Sequence, residues 1–138
     1  MSIVLGYDSS PAADAALGAA ISLSQRLGET LVLVYGAGVP GGFSEEMSSH
    51  REAVQELGRR ALNQATERAR AAGITPVEVL SVEKPTEALL LAAEQHDAVF
   101  IVVGTAGESP VRAAVLGAIG HRLLQRSIRP VLCVPARS

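Results

Sequence analysis

Five short apolar runs divide this chain: Ile3 to Gly6, Thr30 to Tyr35, Val77 to Val82, Ala98 to Val103 and Pro130 to Val134. Each is continuous rather than alternating, the pattern of a strand covered on both faces. The segments between them are longer and carry helical spacing, as in Met47, Val54, Leu57, Ala61, Ala65, Ala69 and Ala72, which recur at three, four or seven residues. Strand and helix in alternation read as βαβ units, so the expected fold class is α/β with a parallel sheet of five buried strands. A length of 138 residues holds one such domain, 1–138, and leaves no room for a second. Aromatic residues are 3% of the chain against 48% hydrophobic, so the core is built from Val, Leu, Ile and Ala, which suit closely approaching helices.

Punctuation sets the element ends. Ser10 followed by Pro11 reads as an N-cap and first helical residue, and Gly28 and Gly73 sit where helices stop. Pro85 opens a third helix expected to reach about Gln95, with Ala88, Leu89, Ala92 and Ala93 as its buried stripe. The stretch from Gly36 to Ser44, with four glycines and a proline, reads as a loop or short lid. A helix unbroken from Pro110 to Arg126 would carry Gly117 and Gly120 inside it, each costing about 1 kcal/mol relative to Ala. A loop with one helical turn over 104–116, then a last helix from near Gly117 to near Ser127, is the better expectation.

Charge and targeting signals exclude several functions. The net charge is −2 with Lys and Arg scattered among Asp and Glu, so neither nucleic acid nor an anionic membrane is an expected partner. No apolar run approaches the roughly 18 residues of a membrane span. Met1 leads directly into an apolar run without the features of a signal peptide, and the single Cys133 has no internal partner, so a cytoplasmic, reducing location is expected. His50, His96 and His121 share no metal-ligand spacing with Cys133, and no nucleophile-elbow sequence is present, so neither a metal site nor catalysis is expected.

In a doubly wound sheet, ligands bind beyond the carboxyl ends of the strands, where neighbouring connections diverge. Gly104-Thr105-Ala106-Gly107 follows the fourth apolar run and lets backbone approach an anion. Ten residues on, Gly117-Ala118-Ile119-Gly120 opens a helix whose free N–H groups favour phosphate. The same glycines are equally read as turn and tight-packing residues. Asp8, after the first strand, is either a ligand group or a helix-capping residue ahead of Ser10 and Pro11. Gly36-Ala37-Gly38-Val39-Pro40-Gly41 matches G-x-G-x-x-G but follows the second strand and lacks the acidic residue a dinucleotide site requires.

Gly104, Gly107 and Gly117 reproduce a G-x2-G-x9-G pattern, and the sequence there resembles the ATP-binding branch of the universal stress protein family. Val4-Leu5-Gly6-Tyr7-Asp8-Ser9-Ser10 is similar to that family's first strand and aspartate turn. Leu31 to Tyr35 resembles its second strand, Glu83-Lys84-Pro85-Thr86-Glu87-Ala88 its G-x-P-A turn, and Arg129-Pro130-Val131-Leu132-Cys133-Val134 its closing strand. The resemblance implies a Rossmann-like domain with sheet order 3-2-1-4-5 and about four helices, dimerised through Val131 to Pro135. It also implies a stress and signalling role without a dedicated reaction. Carried over, Asp8 lies near the nucleoside, Tyr35 and Gly36 near the adenine, and Val103 beside the sugar or base. Gly104, Thr105, Gly107, Gly117, Ala118 and Ile119 line the phosphates of ATP, which Mg²⁺ can bridge.

Some positions depart from the pattern. Ala118 and Gly120 stand where hydroxyl residues are usual, and Glu108 where a base is common, with Arg112 as the compensating charge. Ser9 and Glu83 each replace a glycine. The missing hydroxyls and Glu108 favour the alternative: the same fold without a nucleotide, acting as a dimeric protein-interaction module.

Overall fold

Alternation of side chains along the central strands decides how the layers assemble. The computed structural model describes residues 1–38, 45–105 and 118–136. Its strands are β1 (Ser2–Gly6), β2 (Thr30–Gly36), β3 (Val77–Ser81), β4 (Ala98–Thr105) and β5 (Val131–Pro135). They alternate with helices α1 (Pro11–Leu27), α2 (Glu45–Ala71), α3 (Pro85–Gln95) and α4 (Ala118–Arg126). The strands form one parallel sheet in the order β3-β2-β1-β4-β5. Ile3, Leu5, Leu31 and Leu33 point to one face and pack with buried residues of α1 and α2. Val4, Val32 and Val34 point to the other, where Leu89 of α3 and Leu123 of α4 meet them. Both faces of β1 and β2 are covered, which is why their apolar runs are continuous.

The expected α/β class, strand order and helix count are the observed ones. Burial differs at the edges: Val77 of β3 is 39% exposed and Leu132 of β5 is 40% exposed. Each edge strand has a neighbour on one side and lies away from the middle of the helical layers, so an apolar run there is covered only in part. Most of the capping is as expected. Ser10 caps α1 by accepting from the Ala13 amide, Pro11 is the first helical residue, and Gly28 ends the helix in a left-handed conformation at φ 67°. The described part of the last helix runs from Ala118 to Arg126. The expected loop over 104–116 and the connection from Gly36 to Ser44 lie outside the described residues beyond Thr105 and Gly38 respectively.

Two strand-end glycines determine how closely helices approach the sheet. A Cβ on Gly36 would sit 2.6 Å from the Pro85 Cα and 2.7 Å from its nitrogen, and one on Gly104 would be driven into the Ala12 carbonyl. In both places the obstacle is backbone that cannot rotate away. Gly36→Ala is therefore expected to lower the unfolding free energy by about 1–3 kcal/mol, read as a lower urea midpoint at unchanged slope.

Candidate functional site

β1 and β4 lie side by side, yet β1 runs into α1 on one face while α4 packs on the other. A crevice opens where such connections part. Here it is a cleft of about 280 Å³. Tyr7, Asp8 and Ser10, with Ala12 and Ala13 of α1, make one wall. Val34, Tyr35 and Gly36, with Pro85 and Leu89 of α3, make the second. Gly6 and Val103 to Gly104 form the base between them, and Ile119 of α4 borders it.

The turn from β1 to α1 is held by its own side chains. Asp8 Oδ1 accepts the Ser10 amide at 2.9 Å, and Ser10 Oγ in turn accepts the Ala13 amide at 3.1 Å. Ser10 is thus the helix cap, while Asp8 closes the turn before it and is exposed at the cleft. Between them Ser9 has φ 67°, a left-handed conformation that costs a residue with a Cβ about 1–2 kcal/mol. This accounts physically for the family glycine that Ser9 replaces.

Tyr7 is 2% exposed, and its hydroxyl donates to Asp14 Oδ1 at 2.6 Å. Burial first, then the hydrogen bond and charge of Asp14, push its phenol up to about 12. On the β2 side the chain is stapled to the turn before α3: the Ala37 amide donates to the Ser81 carbonyl at 2.8 Å and the Gly38 amide to the Glu83 carbonyl at 2.9 Å. These two N–H groups are spent within the protein. On the α4 side Arg126 forks onto Glu87 of α3, with Nη2 donating to Oε2 at 3.0 Å and Nη1 to Oε1. The fork holds the Glu87 carboxyl below its ordinary range and raises the guanidinium, tying α4 to the helix whose start lines the cleft.

Of the expected site residues, Asp8, Tyr35, Gly36, Val103, Gly104 and Ile119 come together in the cleft. Thr105 directly follows the lining residue Gly104 as the last residue of β4, in register with Pro135, and is not itself in the lining. Ala118 is exposed at the first position of α4, next to Ile119 but not in the lining. Gly107, Glu108, Arg112 and Gly117 lie outside the described residues. Sequence reasoning passed over Tyr7, Ala12 and Leu89 as cleft residues. Leu89 was legible as part of the buried stripe of α3, but no spacing rule shows that the stripe reaches the cleft. Among the described residues no group of three or more His, Cys, Asp or Glu can hold a metal ion. No helix among the described residues is long and apolar enough to cross a membrane.

A single parallel sheet covered by helices on both faces, with a cleft at its switch point, defines a doubly wound α/β domain, and comparison with known proteins narrows the class. The model of the universal stress protein family matches residues 1–135, so the chain belongs to that family. It is 31% identical over 96 residues to universal stress protein YxiE of Bacillus subtilis (strain 168). That match covers 70% of this chain and spans 63% of the relative's length. A crystal structure of a universal stress family protein from Burkholderia pseudomallei is 32% identical with a TM-score of 0.79, covering 98% of this chain and 96% of that one. The universal stress protein of Archaeoglobus fulgidus in complex with dAMP has the same fold, with a TM-score of 0.73 at 23% identity over 97% of each chain.

Two outcomes test the local physics. Ser9→Gly is expected to stabilise the chain by up to about 1 kcal/mol in urea unfolding, left-handed strain being relieved against the greater chain entropy of glycine. The Tyr7 phenol has a folded pKa of about 12 against an ordinary value of 10.0. Its contribution is therefore complete below pH ~10 and is lost as pH rises toward ~12. Relative to Tyr7→Phe, the native protein should lose about 2–3 kcal/mol of unfolding free energy across that window. A difference independent of pH would mean that neither burial nor the bond to Asp14 raises the phenol.

Proposed function

We propose that this protein is a cytoplasmic stress and signalling module that binds an adenine nucleotide, ATP or a related phosphate ester, and has no dedicated catalysis. The observation carrying this reading is the convergence of Asp8, Tyr35, Gly36, Val103, Gly104 and Ile119 on one cleft from four separated stretches of sequence. The cleft chemistry suits a nucleoside. Val34, Leu89 and Val103 offer apolar surface to a base, and the Asp8 carboxylate, with one oxygen committed to Ser10, has the other for a sugar hydroxyl. In this reading the amides of Ala118 and Ile119 in the first turn of α4, with the positive end of its dipole, face the phosphate. Thr105, Gly107, Arg112 and Gly117 complete the phosphate side in this reading, with Mg²⁺ bridging the phosphates of ATP. The dAMP complex of the Archaeoglobus fulgidus protein supports a nucleotide in a site of this fold.

The same reading makes the protein a homodimer. β5 pairs only with β4 among the described residues, and Leu132 is exposed on it, so the Val131–Pro135 edge is an apolar strand that a second copy would cover. Dimerisation does not depend on a nucleotide.

Calorimetric titration with ATP, with and without Mg²⁺, and with adenosine tests the nucleotide. Micromolar binding of ATP is expected. Ala118→Glu places a carboxylate at an exposed position in the first turn of α4, where it suits the helix dipole but repels phosphate. It should weaken ATP by about tenfold, the effect of about 1.4 kcal/mol of like-charge repulsion, and leave adenosine binding unchanged. No binding at millimolar ATP would overturn this reading and leave the dimeric interaction module in its place.

A further inference from the structure

Beneath the cleft, α2 reaches the turn that carries Asp8. Arg68 Nη1 donates to the Asp14 carbonyl at 3.2 Å and lies 3.5 Å from Asp14 Oδ1. That same Oδ1 accepts the Tyr7 hydroxyl at 2.6 Å. One helical turn earlier on α2, Gln64 Oε1 lies 3.4 Å from Ser9 Oγ. α2 thus touches the turn between Tyr7 and Ser10 directly at the left-handed Ser9 and, through Asp14 of α1, reaches the Tyr7 hydroxyl at its start. A strained turn persists only where its surroundings hold it.

We propose that Arg68 is a positioning residue for the cleft, fixing the Asp14 carboxylate so that Tyr7, and with it the strand end leading into Asp8, keeps one orientation. The asymmetry of exposure gives the argument its force. Asp14 and Arg68 side chains are 40% and 46% exposed, so the carboxylate has a solvated alternative if Arg68 is lost. Tyr7 is buried and has no solvated alternative: if its acceptor turns away, its hydroxyl is left with the Ser9 side chain of the strained turn, and the ring or the turn must shift to make that bond. An ion pair this exposed contributes little to global stability. Its loss is therefore felt locally, at the wall of the cleft made by Tyr7, Asp8 and Ser10. Only the consequence for ligand affinity rests on the nucleotide reading; the positioning of the turn does not.

Hydrogen exchange on the unliganded full chain tests the positioning. In Arg68→Met the amides of Tyr7, Ser10 and Ala13, which bond to Val34 O, Asp8 Oδ1 and Ser10 Oγ, should exchange about fivefold faster. Amides of Val4, Val32 and Val102 in the central strands should be unchanged, and Arg68→Lys should restore most of the protection. Unchanged exchange at the turn, or a uniform increase across the sheet, would overturn the proposal. AMP affinity of the same variants, measured by calorimetry, should fall in Arg68→Met in step with the exchange and recover in Arg68→Lys. Faster exchange with undiminished AMP binding would overturn the role in the cleft. A native chain that binds neither ATP nor AMP defeats the nucleotide reading instead, and the exchange rates then decide the positioning by themselves.

Discussion

Contact of backbone with backbone at the carboxyl edge of the sheet is the constraint on which the site depends. Gly36 ends β2 against Pro85, the first residue of α3, and Gly104 near the end of β4 lies against Ala12 in the first turn of α1. At Gly6, the last residue of β1, a Cβ would lie 3.1 Å from Leu89. Without side chains at these points, two helices start within van der Waals contact of strands to which they are not directly connected. That contact narrows the crevice at the switch point to a cleft of about 280 Å³. It also brings the positive ends of α1 and α3 to the cleft walls, so the fold provides a mild electrostatic preference for an anion before any charged side chain does so.

Close packing changes what Gly104 can tell. In the sequence it is open to two readings, a phosphate-loop glycine and a packing glycine, and the Ala12 carbonyl now requires the second. A residue demanded by packing stays glycine in a chain that binds nothing, so Gly104 is not by itself evidence for a ligand. The functional argument moves to residues whose identity packing leaves free. Asp8 is the clearest, since an amide or a hydroxyl could close the same turn, whereas a carboxylate at the cleft offers a second acceptor.

The architecture was legible because continuous apolar runs, helical spacing and end signals such as Ser10-Pro11 and Gly28 all agree. Edge exposure was less so, since Val77 and Leu132 read as core residues in any window and only the sheet order tells which strand lies outermost. At the site, residues contiguous with a strand end were found, as with Tyr35, Gly36 and Val103. Thr105 and Ala118 were assigned through a linear motif, but the cleft selects by direction as well as position, and neither is in its lining. The Tyr7, Asp14 and Arg68 chain had no signal at all. Its members are 7 and 54 residues apart in pairs, and no periodicity joins a strand end to the far half of α2.

The two sides of the cleft are held by different physics, and this bears on how it would receive a ligand. The β1 side is stapled by the bonds of Asp8, Ser10 and Tyr7 and backed by the buried core of α1 and α2. The α4 side rests on a nine-residue helix whose buried residues are Gly120 and Leu123, joined to α3 by the exposed fork of Arg126 on Glu87. Ion pairs at such exposure yield to salt and to competing charge, whereas bonds inside a packed turn do not. A nucleoside would thus meet a preorganised surface and lose little affinity to ordering it, while the phosphate end would meet the part of the site most easily reset. Under the proposed function that division would have a consequence: the nucleoside side would keep its affinity while α4 and its ion pair respond to how many phosphates are present.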